Sequence, residues 1–101
     1  MGVINLPPPP AEYAQAQDAV ERYMAQADPI GWAEVKMISH NLKERGTVSQ
    51  QEAFRLTWLE ILGKQSRKED VSQAMRAMIL DNPAYAPFKT AVAGSDDPLL
   101  R

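Results

Sequence analysis

The segment 54-FRLTWLEILG-63 has apolar residues on two sides of a predicted helix. At about 100° per residue, the major face contains Phe54, Trp58, Ile61 and Leu62. Leu56 and Leu59 fall roughly opposite. A surface helix of a small protein usually has one apolar stripe and one polar face. The second apolar face therefore predicts contact with another helix of the same chain or with a partner.

The preceding helical segment shows the same two-sided pattern. Its main stripe consists of Trp32, Val35, Ile38 and Leu42, and Ile30, Ala33 and Met37 lie on the other side. These two segments are predicted to form a central hairpin. Packing between the flanking helices would then bury both faces of each segment, whereas a partner would bury only the face that the fold leaves exposed.

Helix-start and helix-stop signals predict four main helices. The first covers Ala11–Ala27, and Asp28 before Pro29 is typical of an N-cap followed by the first helical position. The second covers Pro29–Arg45 and ends before Gly46. Two further helices are indicated by the capping boxes 49-SQQE-52 and 66-SRKE-69, and they are predicted to end at Leu62, before Gly63, and at Leu80.

The two ends of the chain are predicted to differ from this helical part. Residues 1–10 form a proline-terminated arm, for which an extended conformation is expected. Residues 11–94 form the helical domain, which includes a short last helix over Pro87–Ala93 closed by Gly94, and residues 95–101 form a tail. The predicted fold class is therefore all-α: a bundle of four main helices plus a short C-terminal helix, with an extended Pro-rich N-terminal arm.

The composition disfavours several classes of function. The 101 residues suffice for a single domain, and their net charge of −2 disfavours general nucleic-acid or anionic-membrane binding. There is no cysteine, and no apolar run approaches the roughly 20 residues of a membrane span. The N-terminus lacks the features of a secretory signal. We therefore expect a soluble cytoplasmic protein.

Catalytic and cofactor signals are weak. The single histidine, His40, lies four residues before Glu44, which is half of a metal site without a second half. The segment 63-GKQSRK-68 fails as a phosphate-binding loop, because position 58 is Trp58 rather than glycine. We therefore expect neither an enzyme nor a bound cofactor, metal ion or small-molecule substrate.

Nucleic-acid binding remains the alternative. The third and fourth predicted helices, spanning residues 53–80, are joined by a three-residue turn, as in a helix-turn-helix motif. The candidate nucleic-acid contacts are Lys64, Arg67, Lys68 and Arg76. Against this alternative, Glu69 and Asp70 lie where phosphates or bases would approach.

The favoured interpretation is a non-enzymatic protein–protein interaction module. It would self-associate, or serve as a small subunit or modulator of a larger assembly, through the second apolar face of its central helices. The candidate contact residues are Met37, Leu56, Leu59, Pro7 and Pro8. Pro7 and Pro8 belong to the arm, which is expected to lie beside the apolar anchors.

Overall fold

A computed structural model of the chain describes residues 11–89. Within this range, helices account for 87% of the residues and no strand occurs. The predicted all-α fold class is confirmed. The proline arm with Pro7 and Pro8, the end of the predicted last helix at Ala93, and the tail 95–101 lie outside the described residues.

Three long helices and a C-terminal series of shorter helical segments make up the described chain. The helices are α1 (Ala14–Ala27), preceded by a 3₁₀ turn at Ala11–Tyr13, α2 (Pro29–Arg45), α3 (Val48–Ser66) and α4 (Val71–Met75). A π-helical turn at Arg76–Leu80 and a 3₁₀ helix at Pro83–Phe88 follow. α1 contacts α2, α3 and α4, and the last two segments pack on α2.

The predicted boundary between the first two helices is confirmed. The Asp28 carboxylate accepts a hydrogen bond from the Gly31 amide at 3.1 Å, and Pro29 occupies the first turn of α2. At the other end of α2, the Gly46 amide donates to the Leu42 carbonyl at 2.7 Å. Polar capping and proline geometry therefore set these limits as the sequence indicates.

α3 begins before the predicted capping box. Thr47, not Ser49, is the N-cap: its hydroxyl accepts from the Gln50 amide at 3.1 Å, and the Gln50 side chain accepts from the Thr47 amide at 2.8 Å. The prediction was wrong because 47-TVSQ-50 satisfies the same capping rule two residues earlier.

The predicted end of α3 at Leu62 is also wrong, because the helix continues through Gly63 to Ser66. Lys68, with φ 62°, takes the left-handed position that usually ends a helix at glycine. The Lys68 amide donates to the Gln65 carbonyl and the Glu69 amide to the Lys64 carbonyl, both at 2.9 Å. This is the hydrogen-bond pattern of a Schellman motif.

The next helix consequently starts later than predicted. Asp70, not Ser66, is the N-cap of α4, and its carboxylate accepts from the Ser72 amide at 2.9 Å. The π-helical turn that extends α4 is closed by a hydrogen bond from the Asp81 amide to the Arg76 carbonyl at 2.7 Å. The helical part therefore ends at Leu80, as predicted, but with only five residues in α-helical geometry.

The last helical segment among residues 11–89 is the 3₁₀ helix that begins at Pro83, four residues before the predicted start at Pro87. Residues 90–94, which hold most of the predicted helix and its closing Gly94, lie outside the described residues. Proline clashes with the carbonyl four residues earlier in an α-helix, whereas a 3₁₀ helix bonds residues three apart and accommodates Pro87. The Asn41 side chain donates to the Phe88 carbonyl at 3.0 Å and ties this segment to α2.

One apolar core joins all these elements. Its buried members are Val20, Met24, Trp32, Val35, Ile38, Leu42, Phe54, Trp58, Ile61, Leu62, Val71, Met75, Ile79, Leu80, Tyr85 and Phe88. The rings of Trp32 and Trp58 stack with centroids 6.2 Å apart, and Phe54 meets Tyr85 edge-on at 5.5 Å. The aromatic residues of α2 and α3 thus lie at the centre of the fold.

Candidate protein-binding surface

The inner face of α3 is fully used by the fold. Phe54, Trp58, Ile61 and Leu62 are all buried, as expected for the major stripe. The indole nitrogen of Trp58 donates to the Gln17 side chain on α1 at 3.3 Å. The polar atom of the largest core side chain is therefore satisfied, and this face offers nothing to a partner.

The second apolar face of α3 is divided between core and solvent. Leu59 is half-buried and packs against the core, whereas Leu56 keeps 57% of its surface exposed. Leu59 is turned about 60° closer than Leu56 to the buried stripe, which accounts for the difference. Neighbouring helices therefore cover only one edge of the second face.

The corresponding face of α2 is also mostly outside the core. Ile30 is 77% exposed, Ala33 is exposed, and Met37 is half-buried. The predicted contact residues are thus split between two helices, Met37 on α2 and Leu56 and Leu59 on α3, while Pro7 and Pro8 lie outside the described residues.

Two strongly exposed apolar residues were missing from the predicted contact set. Val48 is 83% exposed and lies in the first turn of α3, before the predicted start of that helix. Ile30 was assigned to the minor stripe of α2 but not to the contact set. Its spacing of three and seven residues from Ala33 and Met37, which puts it on the same face of α2, is the signal that could have identified it.

Most of the predicted nucleic-acid contacts are paired with carboxylates. Arg67 contacts Glu69 at 2.6 Å, and Lys64 lies 3.5 Å from the same carboxylate. Arg76 contacts Asp28, the N-cap of α2, at 2.6 Å. The hydrogen bond from Arg67 lowers the pKa of Glu69 from its ordinary value, and the same pairing raises the pKa of Arg67.

The connection between α3 and α4 differs from the predicted turn. Four residues, 67–70, connect α3 to α4, instead of the three predicted. Beside this connection lies an open cleft of ≈ 390 Å³, lined by Tyr23, Gln65, Lys68, Glu69, Asp70 and Val71. The lining contains one cation, Lys68, and two carboxylates, Glu69 and Asp70. This mixed charge favours neither a phosphate nor a cation as a ligand.

A polar group of α1 is buried without a partner. The Oε1 atom of Glu21 has no hydrogen-bond partner among the described residues. Burial raises the pKa of Glu21, the charge of Asp18 raises it further, and Lys36 on α2 opposes both. Glu21 thus carries an electrostatic cost at neutral pH that Lys36 offsets only in part.

The described residues also bear on metal and membrane binding. Between residues 11 and 89, no group of three or more His, Asp or Glu side chains is arranged to hold a metal ion. In the same range, no helix has the length and hydropathy of a bilayer-crossing segment.

Comparison with known proteins gives no assignment: no family matches the sequence, and neither a curated protein nor a solved structure matches the chain.

Proposed function

We propose that this protein is a non-enzymatic protein–protein interaction module that binds through the outer side of its central helices. In this role it self-associates or acts as a small subunit or modulator of a larger assembly. Leu56 on α3 and Met37 on α2 supply apolar contacts, and Ile30 and Val48 extend them. Leu59 contributes only its exposed edge. The participation of Pro7 and Pro8 stays a prediction.

The exposure of Leu56 is the observation that carries this proposal. The side chain lies in the middle of a 19-residue helix, between turns that bury Phe54 and Trp58 completely or almost so. At that position the large apolar side chain of Leu56 is exposed to water and does not contribute to the core. Contiguous exposed apolar surface marks binding sites, whereas a single exposed apolar residue is ordinary, so the proposal requires Leu56 to act together with the exposed Val48 on the same helix.

Site-specific photo-crosslinking in the cell from which the chain comes tests this proposal. A benzophenone amino acid is placed at Leu56 in the full-length chain, and in a second variant at Ala53, which is also exposed on α3. The matched control carries the same group at Gln15, an exposed position on α1.

Discrete crosslinked products are expected from positions 53 and 56 and not from position 15. A product of twice the chain mass would identify self-association, and a product of another mass would identify a different protein. Equal, diffuse labelling from all three positions would overturn the proposal, because the outer side of α3 would then behave like any exposed surface.

A further inference from the structure

The exposed surface of α3 contains a regular ridge of alternating chemistry. Val48, Glu52, Leu56 and Glu60 follow one another at intervals of four residues, and all four are exposed. Residues spaced by four form one of the two kinds of ridge by which helices pack into the grooves of other helices. These four residues form the outer ridge of α3.

The outer ridge has the length of a helix-docking surface. Each four-residue step advances about 6 Å along the axis, so the ridge spans about 18 Å. Its apolar members, Val48 and Leu56, are 83% and 57% exposed. A facing helix of about 12 residues or more would cover it.

The charges on the ridge select the partner. Glu52 and Glu60 flank Leu56, one turn away on each side. Glu52 has only a long ion pair with Arg55, at 3.6 Å between two exposed side chains. Glu60 forms no ion pair with another described residue, although its charge acts on Arg67 and helps to raise the pKa of that guanidinium. Both carboxylates are therefore accessible to cations on a docked helix.

A second copy of the chain fits this ridge poorly. A two-fold contact centred on Leu56 would place Glu52 opposite Glu60 if the helices ran antiparallel, and each glutamate opposite its own copy if they ran parallel. Carboxylate would face carboxylate in both cases, and like charges across an interface disfavour the complex.

We propose that the outer ridge of α3 binds a basic amphipathic helix of another protein. Apolar side chains of that helix contact Val48 and Leu56, and two Lys or Arg side chains about 12 Å apart pair with Glu52 and Glu60. This proposal rests on the proposed function and specifies it, since it replaces self-association by a partner of defined charge.

Binding to a matched pair of synthetic peptides tests the proposal. One stapled helical peptide of about 20 residues carries Leu and Ala on one face, with two Lys residues eight positions apart at its edge. The second peptide has Glu at these two positions and is otherwise identical. Fluorescence anisotropy with the full chain is used to measure both affinities over a range of salt concentrations.

The Lys peptide is expected to bind about tenfold or more tightly than the Glu peptide, with the difference shrinking as salt rises. Glu60→Lys should abolish the preference, because Glu52 and Lys at position 60 then give the ridge one charge of each sign, and Leu56→Ser should weaken both peptides. Glu44→Lys makes the same charge change at an exposed position of α2 and should leave the preference unchanged.

Equal affinity for both peptides, binding of neither, or the same loss of preference with Glu44→Lys would overturn the basic-helix proposal. A doubling of the chain mass in light scattering that Leu56→Ser abolishes would also overturn it, in favour of a second copy. The crosslinks expected from position 56 remain in that case, so the proposed interaction function is tested separately from the identity of the partner.

Discussion

At the scale of single residues, Leu56 and Leu59 show how rotation around a helix decides the role of a side chain. Both were predicted contact residues opposite the major stripe. Leu59 packs against the core, whereas Leu56 does not belong to it. The sequence periodicity identifies both as apolar positions, but only the placement of the neighbouring helices decides which of them is covered.

Glu21 gives a prediction at the same scale. Because burial raises its pKa, the folded chain holds the Glu21 proton more tightly than the unfolded chain does. This contribution to stability is fully present below the unfolded pKa and is lost as pH rises through the higher folded pKa. Glu21→Gln should therefore raise the melting temperature at pH 7, with a gain that disappears toward pH 4.

Melting curves of Glu21→Gln and wild type, recorded between pH 4 and pH 8, provide the measurement. Glu44→Gln is the matched control, because its side chain is exposed on α2. A gain for Glu21→Gln that is equal at pH 4 and pH 7 would show that the charge of Glu21 has no role in the effect.

At the scale of elements, the end of α3 depends on a lysine in a glycine position. Lys68 has φ 62° within a Schellman motif, and a non-glycine residue in this region is strained by about 1 kcal/mol. Lys68→Gly should therefore increase the free energy of unfolding by about 0.5–1 kcal/mol, less any gain in unfolded-state entropy. Denaturant titration measures the change.

Lys68→Ala is the control for this prediction. It removes the same charge but keeps the Cβ atom that causes the strain, so no comparable gain is expected. If both variants stabilise the chain equally, the charge of Lys68 rather than its backbone conformation would be responsible.

The elements also show which boundaries can be predicted from sequence. The limits of α2 follow from Asp28, Pro29 and Gly46. The Asp28 carboxylate caps the first turn, the Pro29 ring fixes φ, and a Cβ atom at position 46 would come within 2.6 Å of the Leu42 carbonyl oxygen. The limits of α3 do not, because two overlapping capping boxes compete at its start. At its end, Gly63 is buried inside the helix and Lys68 takes the left-handed position instead.

The helix that follows α3 was predicted less well for a related reason. Its N-cap depends on where α3 ends, so moving the stop from Gly63 to Lys68 moves the start from Ser66 to Asp70. The four-residue connection and its ion pairs follow from this shift. A nucleic-acid contact set based on residue type alone could not anticipate that Arg67 and Arg76 pair with carboxylates.

At the scale of the whole molecule, the charge distribution bears on the nucleic-acid alternative. The net charge is −2, and Lys64, Arg67 and Arg76 each lie within ion-pairing distance of a carboxylate. Nucleic-acid affinity depends largely on cations that are available to neutralise phosphates. The chain should therefore not retard duplex DNA at about 150 mM salt.

Gel-shift titration of a duplex library at low and physiological salt measures this binding. The double variant Arg67→Ala, Arg76→Ala serves as the comparison. A wild-type shift at physiological salt that the double variant abolishes would contradict the prediction and favour the helix-turn-helix alternative.

In this fold, one face of α3 packs in the core and the opposite face stays exposed. The most direct measurement is the free energy of unfolding of Phe54→Ala and Leu56→Ala in the isolated chain. Phe54 is buried, so its truncation should cost about 3–5 kcal/mol. Leu56 is 57% exposed, so its truncation should cost less than about 1 kcal/mol. Equal costs would show that Leu56 belongs to the core and that α3 has no free outer face.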